Sequence, residues 1–422
     1  MTEAGPDARG STRALVLRAI RAGGTISRTE LADATGLTGA SITRIVRGLI
    51  VEGLVAEVGL AESRGGTPRR LLELDPGARY AIGIQLDRHG SRIVLADLAG
   101  RIIARNDGAG FGVSPAETLF DLSERIADVV TGAGVPIDRV LGIGLGSYGP
   151  QDRRTRRIRS GYVDAEWQRT DVCGLLEQLT GLPVALENDA LAVAVGELWS
   201  GGMPPTSTYG VIYLGGGIGG GVVVGGRAYR GSSSNGVELG HISIDHAGEP
   251  CTCGNRGCLD NIAGPHAVVE RALAEGDLGA RLGLLGGEEA IARDFHLVTE
   301  AAADGDPDAE RLVQQSAQAL AMGAVTLANL FDLDTVVLAG SGYGRALPTY
   351  RLAVADALDR SFYARALHPV VATASTATVD AVAFGAASAV LESAFDPDDP
   401  DGALVPFARN RTISAPAYQE LT

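Results

Sequence analysis

The sequence predicts an α/β protein in which a small winged helix-turn-helix head precedes a two-lobed α/β body. Three observations predict it. Residues 11–75 carry a capped helix, a tight turn and an apolar-striped helix in that order. From residue 78 a pattern of antiparallel strands followed by βα units starts twice. The charge also changes sign between the two regions.

At about 150 residues per domain, 422 residues make two to four domains. Hydrophobic residues make up 45% and charged residues 21%, a balance that excludes a wholly disordered or fibrous chain. No run of 18 apolar residues occurs, so no transmembrane helix is expected. The first 13 residues lack the apolar stretch of a secretory signal, so a cytoplasmic location is expected. The net charge is −15; residues 1–70 hold ten Arg against seven acids, which leaves −18 on the remainder. That excludes a protein coating nucleic acid with its whole surface and singles out the head as the cationic part.

Residues 1–10 read as a flexible tail. A first helix fits Thr12–Ala22, with Leu15, Val16, Ala19 and Ile20 on one face, and Gly23-Gly24 stops it. Ser27-Arg28-Thr29-Glu30 has capping-box form and starts a short helix ending at Thr35. After Gly36-Leu37, Thr38 caps a helix over about Gly39–Glu52, whose Ile42, Ile45, Val46, Leu49 and Ile50 fall at i, i+3, i+4, i+7, i+8. Its other face shows Ser41, Thr43, Arg44 and Arg47, hydroxyls and guanidinium groups that can reach base edges or phosphates. Val55–Val58 and Leu71–Leu74 read as wing strands around a basic loop whose Arg64, Arg69 and Arg70 suit phosphate or a minor groove. A charged protein-binding helical module is the competing reading of the same pattern.

The body divides into a first lobe, 78–200 with a C-terminal helix at 379–395, and a second lobe, 201–378; the tail 396–422 has no legible structure. Strands are expected at Tyr80–Leu86, Ser91–Asp97, Arg101–Asn106, Val140–Leu145, Val184–Leu186, Tyr209–Leu214, Ile218–Val224, Thr335–Leu338 and Pro369–Thr373. Helices are expected at about Pro115–Thr131, Leu175–Thr180, 189–198, Pro265–Ala274, Glu288–Ala292, Asp306–Asp332 and Val379–Phe395.

Three groups of residues point to chemistry. His241 followed by Cys251, Cys253 and Cys258 gives three thiolates and an imidazole, a closed tetrahedral shell suited to structural zinc, with Gly254 and Gly257 tightening the loop. Cys173, elsewhere, reads as a buried thiol. Glu187-Asn188-Asp189 at a strand end, with Glu238 and Asp260, offers the carboxylates and amide that a polyhydroxyl ligand needs, although acids at strand ends also serve as helix caps. The glycine run Gly215–Gly221 reads equally as an anion-binding nest or a plain hairpin. Arg153–Arg159, with five Arg in seven residues, reads as a solvated hairpin before it reads as an anion site.

These pieces together resemble the ROK family of sugar kinases and sugar-responsive repressors over residues 11–393. Val237-Glu238-Leu239-Gly240-His241 with Cys251-Thr252-Cys253-Gly254-Asn255-Arg256-Gly257-Cys258-Leu259-Asp260 resembles the family's zinc signature. Glu187-Asn188-Asp189 with Gly196-Glu197 resembles its sugar-site helix, and Ala383-Phe384-Gly385-Ala386-Ala387 its C-terminal helix. The resemblance implies an actin-like (sugar kinase/ribonuclease H-like) body, often dimeric or tetrameric. It implies sugar contacts from Asn188, Asp189, Glu238 and His241, with Asp189 the catalytic base if the chain is a kinase.

The departures weigh against a kinase. Where family kinases carry D-x-G-G-T to hold ATP phosphates, this chain has Gln85-Leu86-Asp87-Arg88-His89, and bulky side chains block the backbone approach that glycines allow. Gly216 stands where a Thr is usual, Asp260 replaces a Glu, and Ser160-Gly161-Tyr162-Val163 lacks a common Asn. The expected function is thus a DNA-binding regulator, a repressor before an activator, of carbohydrate genes. Its expected partners are a double-stranded operator, a sugar or sugar-phosphate effector and a second copy or a tetramer of itself, with no membrane; its expected cofactor is structural zinc and not ATP. An ATP-dependent sugar kinase keeping a DNA-binding head and a sugar-blind protein adaptor are the alternatives.

Overall fold

The head folds on the stripes described above. In the computed structural model, which describes residues 6–60, 69–88, 90–112, 114–160, 163–200, 202–204, 206–377 and 379–395, helix α1 spans Pro6–Gly23. It begins before the expected Thr12, so residues 6–10 are helix and not tail. Pro6 suits a first turn, where its missing N–H is not needed, and the apolar stripe that signals the helix starts only later. Strand β1 (Ile26–Ser27) leads into α2 (Arg28–Thr35) through the capping box: Ser27 Oγ accepts from Glu30 N–H at 3.4 Å and Glu30 Oε2 accepts from Ser27 N–H at 2.8 Å. Gly36, at φ 68°, ends α2 in the left-handed conformation that favours glycine. Helix α3 (Gly39–Val51) starts on Thr38, whose Oγ1 accepts from Ser41 N–H. Strands β2 (Val55–Leu60) and β3 (Arg70–Leu74) pair antiparallel, and β1 adds to β3, giving the order β1-β3-β2. Ile20, Leu31, Ile42, Val46, Leu49 and Leu72 form the fully buried centre of the head.

The chain divides into two units, one running Thr206–Ala381 and the other comprising the rest. In the unit that includes the head, strands β4 (Tyr80–Leu86), β5 (Ser91–Asp97), β6 (Ile102–Gly108), β7 (Val140–Ser147) and β10 (Val184–Asn188) form a sheet in the order β10-β7-β4-β5-β6. The β10, β7 and β4 strands are parallel; β5 and β6 are antiparallel hairpin partners. Helices α4 (Pro115–Gly132) and α6 (Val172–Thr180) cover it, with the short α5 (Ala165–Arg169) beside them. Between β7 and α5 the arginine run forms a hairpin of β8 (Gln151–Asp152) and β9 (Arg157–Ile158). Helix α7 (Asp189–Trp199) follows β10 directly, and the C-terminal helix α14 (Ala381–Phe395) packs on the same sheet. That packing depends on glycine. A Cβ on Gly83 would lie 1.8 Å from the Ala383 carbonyl oxygen, and one on Gly144 2.1 Å from that of Ala386.

The unit Thr206–Ala381 repeats the sheet plan. Strands β11 (Tyr209–Leu214), β12 (Ile218–Val224), β13 (Arg227–Ala228), β14 (Thr335–Ala339) and β15 (Val371–Ala374) take the order β13-β12-β11-β14-β15, with β11, β14 and β15 parallel. Around it lie α8 (Asp260–Ala263), α9 (Pro265–Ala274), α10 (Leu278–Leu282), α11 (Ile291–Ala303), α12 (Pro307–Phe331) and α13 (Leu347–Ser361). The expected helix at Glu288–Ala292 is displaced: α11 begins at Ile291, because its apolar stripe is Ile291, Phe295 and Val298. Among the described residues no helix is long and apolar enough to cross a membrane.

Candidate nucleic-acid interface, metal centre and ligand site

Helix α3 turns one face into the head and the other outward. Ile42, Val46 and Leu49 are fully buried, whereas Thr43, Arg44 and Arg47 are exposed. Thr43 Oγ1 donates to the Gly39 carbonyl at 2.8 Å, which holds its side chain near the helix start and leaves its oxygen free to accept. Ser41 is half-buried, and its hydroxyl accepts from Thr38 at 3.0 Å, so it serves the cap as well as the surface. Arg44 and Arg47 make no ion pair among the described residues. Of the wing arginines, Arg69 is exposed, while Arg70 reaches Glu57 at 2.6 Å, and Arg28 reaches the same carboxylate at 2.8 Å. These two guanidinium groups hold the Glu57 carboxyl below the usual carboxylate range. Any phosphate at Arg70 competes with Glu57. Arg64 lies outside the described residues.

The four residues His241, Cys251, Cys253 and Cys258 converge: one ligand atom from each lies within 4.8 Å of all the others. His241 ends a short 3-10 turn, Leu239–His241. The cysteine loop closes on Gly254, at φ 93°, and Gly257, at φ 57°; a Cβ on Gly257 would stand 1.7 Å from the Asp245 carbonyl oxygen. Cys251 Sγ lies 3.6 Å from His241 Nδ1, and Cys253 Sγ lies 3.6 Å from Cys258 Sγ, far beyond a disulfide bond. Burial resists ionisation at Cys251, but the Cys253 backbone and thiol, the Cys258 thiol and His241 outweigh it and bring the thiol down to about 7. Burial and the two neighbouring sulfurs push Cys258 the other way. Three sulfurs and one imidazole nitrogen within 4.8 Å of one another are the donor set and spacing that can hold a soft cation. Cys173 stands apart, fully buried, with burial pushing its thiol up to about 12.

Around that loop sit Glu238 and Asp260. Burial raises both carboxyls above the usual carboxylate range, and His241 opposes the shift at each. One Asp260 oxygen, Oδ1, accepts from the Ile218 N–H at 2.8 Å, so it anchors the glycine turn. The backbone conformation of Val237 is not legible in the sequence. The residue adopts φ 68°, a left-handed conformation costly for a β-branched residue, immediately before Glu238. The second acidic group lies in the other unit. Asn188 ends β10 and caps α7, its Oδ1 accepting from Leu191 N–H at 3.1 Å; Asp189 Oδ1 accepts from Ala190 N–H at 2.8 Å. The helix-cap role is thus realised at Asn188, while both side chains remain half-buried at the carboxyl end of a parallel strand. Glu187 is buried, and its carbonyl accepts from Gln151 Nε2 at 2.8 Å.

The glycine run forms a hairpin, with Leu214 paired to Ile218 around Gly215–Gly217. None of its glycines occupies the left-handed region, so the alternating conformation of an anion nest is not formed. The glycines serve close packing instead; a Cβ on Gly220 would lie 2.7 Å from the Val237 carbonyl oxygen. In the β4–β5 turn, Gln85 Nε2 donates to Asp87 Oδ2 at 3.1 Å, and Asp87 Oδ1 accepts from Gly90 N–H at 3.1 Å. His89, Gly161 and Tyr162 lie outside the described residues. Two arginines of the hairpin are committed to neighbours: Arg156 pairs with Glu177 at 2.7 Å and Asp171 at 3.3 Å, and Arg159 with Asp152 at 3.8 Å.

Residues 81–393 match the ROK family. The chain belongs to the ROK family. Residues 10–64 separately match the MarR family. The ROK match spans both body sheets and α14, and the MarR match spans α1 to α3 and β2. Over 325 residues, 77% of this chain and 81% of the relative, the chain is 27% identical to the xylose repressor of Caldicellulosiruptor bescii. A ROK family transcriptional regulator described as a homolog of the Escherichia coli MLC protein superposes with a TM-score of 0.72 at 25% identity, covering 92% of this chain and 97% of that one. A ROK family glucokinase from Streptomyces griseus, solved with glucose and AMPPNP, superposes with a TM-score of 0.56 at 29% identity, covering 73% of this chain and 98% of that one.

Proposed function

We propose that the protein is a DNA-binding transcriptional regulator, acting as a repressor, of carbohydrate-metabolism genes, controlled by a sugar or sugar phosphate bound to its ROK body. One observation carries this. The likeness to a ROK regulator extends over 92% of the chain, whereas the glucokinase covers 73%. The head is the difference, and its outward face carries Thr43, Arg44 and Arg47. Those residues read the major groove, and Arg69, Arg70 and Arg64 lie along phosphate or the minor groove. A dimer or tetramer in the cytoplasm would present paired heads to a two-fold operator.

Asn188, Asp189, Glu238, His241 and Asp260 are proposed as the sugar contacts. Zinc is proposed for the His241–Cys251–Cys253–Cys258 cluster. Two sulfurs at 2.3 Å from one tetrahedral centre stand about 3.8 Å apart, and a sulfur and an imidazole nitrogen about 3.6 Å apart; the contacts of 3.6 Å and 3.6 Å fit both. With all four positions filled by protein, zinc would hold the loop that carries Glu238, His241 and Asp260, and its Nδ1 contact leaves the His241 Nε2 for ligand. The body is proposed to bind without phosphoryl transfer. Supporting this reading, Asp87 and Arg88 stand where the resemblance implies the two glycines of the kinase motif, and the Asp87 carboxylate accepts from Gln85 Nε2 and Gly90 N–H within the turn.

The test is to sequence genomic fragments retained by the purified chain at physiological salt. A few enriched fragments sharing an inverted repeat, released by a sugar, are expected. Retention that is salt-sensitive and indifferent to sequence would overturn the regulator reading. Sugar-dependent ADP release, lost in Asp189→Asn, would overturn the claim that no phosphoryl group is transferred.

A further inference from the structure

Helix α1 is buried on two sides. Val16 and Ile20 belong to the head's core, while Ala14, Leu17, Arg18 and Arg21 line a small space against the body. Arg18 is 7% exposed and pairs with Glu392 of α14. Trp199, the last residue of α7, is 4% exposed, and its Nε1 donates to the same carboxylate at 3.3 Å. The Arg21 guanidinium carbon lies 4.2 Å from the centroid of that indole, and Arg21 Nη2 donates to the Leu198 carbonyl at 2.5 Å. A carbonyl in the last turn of a helix has no donor within the helix, so the head supplies one to α7. Two arginines of the head, one indole and one carboxylate therefore make a joint of charge-assisted, direction-dependent contacts, walled by Leu74 and Leu98.

The other end of α7 is Asn188-Asp189. Its 11 residues span about 16 Å at 1.5 Å per residue. Every residue from Ala190 to Trp199 is buried, so the helix has no free face along which to bend. It also touches α14 backbone to backbone. A Cβ on Gly385 would lie 1.9 Å from the Ala192 carbonyl oxygen, and one on Gly196 3.1 Å from the Gly385 Cα. Helices packed this closely move together. A shift at the Asn188 end thus reaches α1 twice, through the Leu198 carbonyl and through Glu392.

We propose that the Arg18–Arg21–Trp199–Glu392 joint reports occupancy of the Asn188-Asp189 end of α7 to the DNA-binding head. The proposal rests on the reading above, in which those two residues contact sugar and the head binds an operator. Arg21 and Trp199 are positioning residues; neither touches ligand or DNA. Coupling requires that sugar bind the two arrangements of the joint with different affinity, and it acts equally in both directions.

The test uses the full chain, its selected operator fragment, and a panel of aldopentoses with their 5-phosphates and of aldohexoses and N-acetylated hexosamines with their 6-phosphates. Arg21→Met keeps the aliphatic stem and removes the guanidinium; Trp199→Phe keeps a ring and removes the indole N–H. Operator Kd and sugar Kd are each expected to stay within about 3-fold of wild type in both variants. The sugar-induced change in operator Kd, about 5- to 150-fold in coupled systems, should fall below about 2-fold, with partial recovery in Arg21→Lys. Variants that keep the wild-type change overturn the joint and leave the function reading standing. A wild-type chain that binds operator but answers no sugar in the panel overturns the reading and the joint together. A ligand-free measurement separates them further: the emission of Trp199, taken as wild type minus Trp199→Phe, should change when operator is added without sugar. An unchanged emission overturns the joint whatever the effector.

Discussion

Gly385→Ala and Gly48→Ala are the same chemical change with opposite expected outcomes. A methyl at 385 would stand 1.9 Å from the Ala192 carbonyl oxygen, 2.3 Å from its carbon and 3.0 Å from the Val193 nitrogen. All are backbone atoms of α7, so no rotamer relieves the clash, and α7 and α14 must part by about 1 Å or more. Overpacking of this kind costs about 1–3 kcal/mol, and rigid helix backbone on both sides places this case at the upper end. Alanine's helix propensity returns about 1 kcal/mol, leaving a net loss of about 2 kcal/mol. For a unit of this size that lowers Tm by about 4–8 °C. At Gly48, inside α3, an added Cβ meets nothing within 4 Å, so the propensity gain of about 0.5–1 kcal/mol stands alone. Urea unfolding followed by tryptophan fluorescence reads the first variant, since Trp167 and Trp199 both lie in the unit that holds α14; far-UV dichroism reads the second. Gly385→Ala as stable as wild type would refute the claim that α7 and α14 are in backbone contact.

Thiol chemistry checks the cysteine assignment. A chelator should make Cys251, Cys253 and Cys258 reactive toward an aromatic disulfide, while Cys173, its thiol pushed up to about 12, stays silent until the chain unfolds; fast reaction of Cys173 in folded protein would count against this. His368 gains a partner in Asp332, 3.0 Å away, which raises its pKa above 6.5. Its contribution is complete below the unfolded-state pKa and lost as pH rises through the folded value, so His368→Gln should destabilise near about pH 5 and not near about pH 8.5. Equal effects at both pH values would assign His368 a packing role instead. Arg44→Ala should weaken operator binding by about 1–3 kcal/mol and relax discrimination at one base position, with sugar binding unchanged. A loss spread evenly over all sequences would make Arg44 a phosphate contact.

What the sequence shows of this protein is what short-range physics determines. The capping box at Ser27 and Glu30, the cap at Thr38 and the α3 stripe are settled within a few residues, and each stands where its spacing places it. The metal cluster spans 18 residues and was legible because ligand spacing and Gly254 and Gly257 describe the loop geometry directly. Strand β1 was not legible, since two residues show no period. The stripe of α13, Tyr350, Val354 and Leu358, is one residue wide and lost among Arg and Asp. Whether Gly215–Gly221 is nest or hairpin turns on backbone angles that glycine leaves open. The joint was invisible for a different reason: Arg18 and Glu392 are 374 positions apart, and a buried arginine looks in sequence like any surface one.

The body's two sheets share one strand plan, and glycine lets elements pack closely in both. In the first, Gly83, Gly144 and Gly385 remove side chains where α14 meets its neighbours, so that helix is locked to the sheet and to α7. In the second, Gly220 packs on the Val237 carbonyl, while Gly216 faces open space in the turn of a hairpin held by Asp260. On the proposed reading the locking of α14 to α7 has a thermodynamic reason. An enzyme uses binding energy for interactions that strengthen in a transition state, whereas a regulator must use it to change the relative populations of two arrangements. The second use needs a stiff path from ligand to effector surface and gains nothing from a phosphate-binding turn. On that reading the β4–β5 turn, where Gln85 donates to Asp87, departs from the phosphate-binding form, while the buried α7 packed against α14 supplies the path from Asn188 to Glu392.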